Sequence, residues 1–235
     1  MRRSDAPSHI DVRARFSNLL GFVPAAVIFD MDGVLADTEP INEQATAAVL
    51  ARRGATLPRE TYQALAGQAN DRSWAWLIER FGLSESVAQL EQEYVGELLP
   101  RLAGGLRPTP GARELIGALT GAGIPLAVAS SSPRVVVETV LGALGLRGAF
   151  AAVVSGDEVS AGKPAPDIFQ HAAAQLGVVP AACLVIEDSP HGLAGARAAG
   201  MRTIGVATRY LPRDALRADL VVDSLEELTG RPPGR

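Results

Sequence analysis

The segment Val27-Ile28-Phe29-Asp30-Met31-Asp32-Gly33 sets two carboxylates directly behind an apolar run with the character of a buried strand. Two acids in that setting are costly unless positive charge compensates them. A divalent cation, which prefers carboxylate and carbonyl oxygens, would do so. Gly33 lets the backbone turn sharply and bring N–H groups up to an anion. The same residues also suit a plain strand exit with two solvated acids, or a calcium loop. The longer Asp/Asn ladder closing in Glu that a calcium loop uses is missing here.

Three further segments carry groups that could work on a phosphate. In Ala127-Val128-Ala129-Ser130-Ser131-Ser132-Pro133 a hydroxyl ends an apolar run and a helix start follows, so both can meet an anion. The plainer alternative is an N-cap at Ser132 with two loop serines. In Gly162-Lys163-Pro164-Ala165-Pro166-Asp167 a lysine sits on a stiff loop, which suits a fixed positive charge; an exposed loop lysine is the ordinary alternative. In Leu184-Val185-Ile186-Glu187-Asp188-Ser189 a second apolar strand runs into adjacent acids. Two strands of one sheet that both end in acids favour a metal site over either acidic loop taken alone.

These residues need strands to present them. Short apolar runs at Ala26–Asp30, Leu126–Ser130, Ala152–Ser155, Leu184–Asp188, Thr203–Val206 and Leu220–Val222 lack polar alternation, which predicts strands covered on both faces. Helix-period segments lie between most of them, opened by Thr109-Pro110, Ser132-Pro133 and Pro166, and followed by glycines such as Gly121, Gly123 and Gly177. The alternation predicts an α/β fold: a Rossmann-like parallel sheet core with helices on both faces. Residues 38–107 break the pattern, carrying only helical periodicity, as in Pro40–Arg53 with Ile41, Ala45, Ala48 and Val49, and Ser84–Leu99 with Val87, Leu90, Tyr94 and Leu98. The expected organisation is a poorly ordered segment 1–20, a catalytic core of 21–37 and 108–235, and a small all-helical cap of 38–107 inserted after the first strand. Such an insert hangs over the carboxyl ends of the strands, where open α/β sheets bind ligands. At least one of Trp74 and Trp76 is expected to pack inside it.

Composition agrees with this picture. Of 235 residues, 47% are apolar and 5% aromatic, so the core is mostly aliphatic. The net charge is −4, without a long basic stretch, which argues against nucleic acid. No apolar run reaches the ~18–20 residues of a membrane span, and the polar N-terminus does not read as a signal peptide. A single cysteine, Cys183, excludes an internal disulfide and fits a cytoplasmic protein. Nothing demands more than a monomer.

In order and spacing the four segments resemble the haloacid dehalogenase superfamily of phosphatases and phosphomutases, over about residues 24–223. Within it, Asp-Met-Asp-Gly-Val-Leu-Ala-Asp-Thr-Glu-Pro, Gly-Lys-Pro-Ala-Pro-Asp-Ile-Phe and Ile-Glu-Asp-Ser are similar to the subgroup of β-phosphoglucomutase and related sugar-phosphate phosphatases. The resemblance implies Asp30 as nucleophile, forming an aspartyl-phosphate, and Asp32 as general acid and base. It implies Mg²⁺ held by Asp30, the Asp32 carbonyl and Asp188, with Glu187 beside it. Ser130 and Lys163 would bind the transferring phosphoryl group. Gly33, Ser131, Thr38, Asn42, Gly67 and Arg72 stand at candidate phosphate- or substrate-binding positions. The expected partner is a small phosphorylated metabolite.

The cap departs from the mutase pattern. Asn42 stands where the mutases usually carry a His, and Ala66-Gly67-Gln68-Ala69-Asn70-Asp71-Arg72 lacks the Lys and Arg that grip a second phosphate. Losing two cations favours a phosphatase over a mutase; Arg72 is the candidate to stand in. A metal-free dehalogenase would need neither Asp32 nor the Glu187-Asp188 pair. A non-catalytic module would tolerate loss of one of the four segments, and a receiver domain is about half this length.

Overall fold

The computed structural model describes residues 11–65 and 70–230. Six strands, β1 (Ala26–Phe29), β2 (Leu126–Ser130), β3 (Ala152–Ser155), β4 (Cys183–Glu187), β5 (Arg202–Val206) and β6 (Leu220–Val222), form one parallel sheet in the order β3-β2-β1-β4-β5-β6. The expected strands differ from these by a residue at most. Alternate residues pack on opposite faces: Val27, Phe29, Val128 and Ile186 in one cluster, Ile28, Ala127, Ala129 and Val185 in the other. That double burial is why the runs are unbroken by polar residues.

The helices of seven residues or more among the described residues are α1 (Val12–Leu20), α2 (Glu39–Ala51), α3 (Arg59–Leu65), α4 (Asn70–Phe81), α5 (Val87–Ala103), α6 (Ala112–Gly121), α7 (Arg134–Leu144), α8 (Asp167–Leu176) and α9 (Pro190–Ala198). α8 and α9 cover one face of the sheet, with Phe169 and Ala196 fully buried. α6 and α7 cover the other, through Leu115, Leu119, Val137 and Val140. The prolines expected at first helical positions sit one or more residues earlier: Pro133 and Pro166 are N-caps, and Gly111 caps α6.

The lead-in over residues 1–20 is corrected for its second half. Residues 1–10 lie outside the described residues, but Asp11 caps α1 by accepting the Ala14 N–H at 3.0 Å. Val12 and Phe16, one turn apart, are buried in the main core, and Arg15 donates through Nη2 to the Glu227 carbonyl at 2.7 Å.

Between β1 and α6 the described residues form only helices. α2 and α5 pack together, with Leu90, Tyr94, Leu98 and Leu102 buried along α5. α5 continues through Pro100 to Ala103, past the expected end at Leu99. Trp74 is buried against Tyr94, ring centroids 5.8 Å apart, while Trp76 is 40% exposed. The two chain crossings that flank these helices lie side by side: Ala36 bridges Pro108 in antiparallel fashion, and Thr109 N donates to the Leu35 carbonyl at 2.9 Å.

Candidate functional site

β1 lies in the middle of the sheet, and β2 and β4 flank it. The chain runs outward to β3 on one side and to β6 on the other, so the strand order reverses at β1. That reversal opens a crevice at the carboxyl ends. There the structure shows a cleft of about 1140 Å³, lined on the sheet side by Asp30, Asp32, Gly33, Ser131, Ser132, Lys163, Glu187 and Asp188. Asn42, Arg72 and Tyr94 line it from the helices above.

Lys163 is the hub. Its Nζ lies 2.5 Å from Asp30 Oδ1 and 2.7 Å from Glu187 Oε2, and it donates to the Ala129 carbonyl at 3.1 Å. The Lys163 side chain is only 6% exposed. Burial alone would favour its neutral form, but the carboxylates of Asp30 and Glu187 overcome this and hold its pKa above the usual lysine value. Removing one member of such a buried set costs ~3–5 kcal/mol, because the charge left behind has no partner. Glu187 is held on both oxygens: Oε1 also accepts from Ser189 N at 3.1 Å and Ser189 Oγ at 2.8 Å. Gly192 leaves room for it; a Cβ there would fall 2.1 Å from the carboxylate.

Asp32 is fixed differently. It accepts a hydrogen bond from Thr38 Oγ1, and one from Ser132 Oγ at 3.3 Å. Enclosure raises its pKa, with these two hydrogen bonds and Lys163 pulling the other way. Asp30 is raised well above the ordinary carboxylate range, first by burial and then by the charge of Glu187, against the pull of Lys163. Asp188 is raised by burial and by the charges of Glu187, Asp30 and Asp32.

Asp30, Glu187 and Asp188 bring carboxylate oxygens within 4.8 Å of one another. One lysine cannot balance these three and Asp32. Gly33, with φ +75°, lets Asp188 come close: a Cβ there would lie 2.0 Å from Asp188 Oδ2. An oxygen-rich, over-charged cradle of this kind fits a hard divalent cation.

Two expected site residues are placed otherwise. Ser130 is fully buried at the end of β2, its Oγ accepting the Ser132 N–H at 3.2 Å. The hydroxyl-bearing residues of that loop that line the cleft are Ser131 and Ser132. Thr38 is 1% exposed and is spent on Asp32. Asn42 and Arg72 do line the cleft, and Gly67 lies outside the described residues. The sequence reading missed Glu39, whose Oε2 accepts from Tyr62 OH at 2.6 Å, and the pairing of Tyr94 with Asn42. It missed Asp37 as well, which Arg209 Nη2 meets at 2.8 Å.

The chain matches a family model described as haloacid dehalogenase-like hydrolase over residues 24–200. It is 35% identical to Protein CbbY of Rhodobacter capsulatus over 206 residues, covering 82% of this chain and 89% of that protein. It is 32% identical to hexitol phosphatase B of Escherichia coli over 211 residues, covering 88% and 95%. Among solved structures, a mutant CbbY from Rhodobacter sphaeroides in complex with xylulose-(1,5)bisphosphate superposes with TM-score 0.79 at 29% identity, covering 87% of this chain and 96% of that one.

Proposed function

The chain belongs to the haloacid dehalogenase-like hydrolases, and on that footing we propose that it is a magnesium-dependent phosphatase of small sugar or polyol phosphates. The observation that carries the reading is the pairing of two acids in one short turn with different surroundings. Asp30 is locked against the Lys163 ammonium, and Asp32 is held instead by the hydroxyls of Thr38 and Ser132. One is set up as a nucleophile and the other as an acid, which is the division of labour that covalent phosphoryl transfer needs.

Asp30 attacks phosphorus, the ester P–O bond breaks, and Asp32 gives its proton to the leaving oxygen. Asp32 then takes a proton from water as that water attacks the aspartyl-phosphate, releasing phosphate and restoring Asp30. Lys163 and the hydroxyls of Ser131 and Ser132 meet the phosphoryl oxygens, and Ser130 beneath them fixes the loop. Asp30, Asp188 and the Asp32 carbonyl would hold Mg²⁺, which supplies charge neutralisation for the transferring group. In this reading Glu187 serves chiefly to position Lys163. The helical stretch 38–107 acts as a cap over the core of 21–37 and 108–235. The single cysteine, buried in β4, supports a cytoplasmic protein.

The test is a panel of phosphorylated metabolites with Mg²⁺, scored for free phosphate. It includes β-glucose 1-phosphate with a trace of the 1,6-bisphosphate. Phosphate release that outpaces formation of glucose 6-phosphate supports the phosphatase; the reverse ratio establishes a mutase, with Arg72 at the cleft as the gripping cation.

A further inference from the structure

We propose that Glu39 and Asn42, each fixed by a tyrosine of the helical stretch, read the hydroxyls of a neutral polyhydroxylated tail and turn away a second phosphate. The inference rests on the phosphatase reading and names which sugar phosphates that site takes: monophosphates.

The geometry starts at Asp32. Thr38, which donates to Asp32, also accepts the Asn42 N–H on its carbonyl at 2.9 Å. Asn42 therefore stands about one helical turn further along the same face of α2, about 6 Å from Thr38 along the axis. A hydroxyl a few bonds beyond the ester oxygen falls at that level. Tyr94 OH donates to Asn42 Oδ1 at 3.1 Å, which turns the amide so that the two Nδ2 donors remain for the cleft. Tyr62 OH donates to Glu39 Oε2 at 2.6 Å. Glu39 lines the cleft, and among the described residues Tyr62 is the side chain that bonds its carboxylate, through Oε2 alone.

The result is an acceptor and a donor three residues apart on the first turn of α2. A hydroxyl both gives and takes hydrogen bonds and satisfies the two together. A second phosphate only accepts, and it meets the charge of Glu39. Asp37 adds a further negative charge beside it, and Arg209, a cation of the cleft, is engaged by Asp37. The tyrosines are firm anchors, 8% and 6% exposed. Burial, together with the nearby acids, raises both phenols above their usual range, so both remain donors.

The experiment compares kcat/KM for a hexitol monophosphate, a hexose 1,6-bisphosphate and p-nitrophenyl phosphate, in the wild type and in Tyr62→Phe, Glu39→Gln and Arg72→Ala. The wild type should prefer the hexitol monophosphate. Tyr62→Phe, which keeps the ring and frees the carboxylate, should lower the hexitol-to-nitrophenyl ratio about tenfold, the scale of one hydrogen bond. Glu39→Gln should lower it at least as far and raise the relative rate on the bisphosphate. The proposal is overturned if that ratio stays within twofold in both variants, or if the wild type prefers the bisphosphate and Arg72→Ala removes the preference. Absence of phosphate release from all three compounds would instead sink the phosphatase reading. Calorimetric binding of the two sugar phosphates to Asp30→Asn, with and without Glu39→Gln, then decides the present point. Tighter binding of the monophosphate that Glu39→Gln abolishes supports it, and any other order overturns it.

Discussion

Replacing Gly33 with Ala separates two consequences of one methyl group. Gly33 has φ +75°, and an alanine there costs about 1–2 kcal/mol in backbone strain. That should lower Tm by roughly 2–8 °C in a chain of this size. The added Cβ would also sit 2.0 Å from Asp188 Oδ2 and 2.7 Å from its Cγ. Ordinary contact begins well beyond 3 Å, so the carboxylate must retreat by more than 1 Å. A displacement of that size in a reacting site costs on the order of 10²-fold in rate. Gly145 supplies the control: it ends α7 at φ +64° with nothing within 4 Å of its Cβ direction. Gly145→Ala should show the drop in Tm alone. The assays are thermal melts, phosphate release, and activity against Mg²⁺ concentration. Gly33→Ala should lose about a hundredfold in kcat/KM and need more Mg²⁺ for half-maximal activity. A Gly33→Ala protein with activity within threefold of the wild type and an unshifted Mg²⁺ curve would refute the assignment of Asp188 to the metal.

Asp30→Asn keeps the size of the side chain and removes its nucleophilic charge; turnover should fall by several orders of magnitude while circular dichroism stays unchanged. Activity should vanish on chelation and return with Mg²⁺, and Asp188→Ala should shift the Mg²⁺ requirement upward. Full activity in excess chelator would point to metal-free chemistry. Phe16→Ala empties a fully buried position on α1 and should cost about 3–5 kcal/mol, with kcat unchanged in the protein that remains folded; a negligible change in Tm would mean that α1 is not part of the cooperative unit.

The sheet was legible because its strands are buried on both faces, so Val27-Ile28-Phe29 and Leu184-Val185-Ile186 carry no polar interruption. The four chemical segments were legible for the same reason, since each follows a strand or the loop after one. α1 was not, because Val12, Phe16 and Leu20 keep helical spacing among four polar neighbours, and only the core they meet, far along the chain, makes that spacing count. Ser130 and Thr38 carry the right chemistry, but which way a hydroxyl points depends on the fold around it. The pairings of Glu39 with Tyr62 and of Asn42 with Tyr94 span 23 and 52 residues and leave no local signal. The pattern Asp37-Thr38-Glu39-Pro40 was visible as a motif, yet nothing in it separates a helix start from a substrate contact.

The bridge between Ala36 and Pro108, with Thr109 donating to the Leu35 carbonyl, has a consequence for how such a chain can change over time. The departing and returning segments are tied side by side, so whatever is spliced between them begins and finishes in the same place. Closing a longer or shorter stretch there costs little, since the entropy of closure grows only slowly with length. The sheet below does not register the exchange: Asp30 keeps its footing at the end of β1, Lys163 on the loop after β3 and Asp188 at the end of β4. On the function proposed above, the anchored crossing works as a socket, with reactivity carried by the core and taste for substrate by the helices inserted in it. Grafting residues 39–107 from a relative of different preference should therefore transfer the preference and leave the chemistry behind.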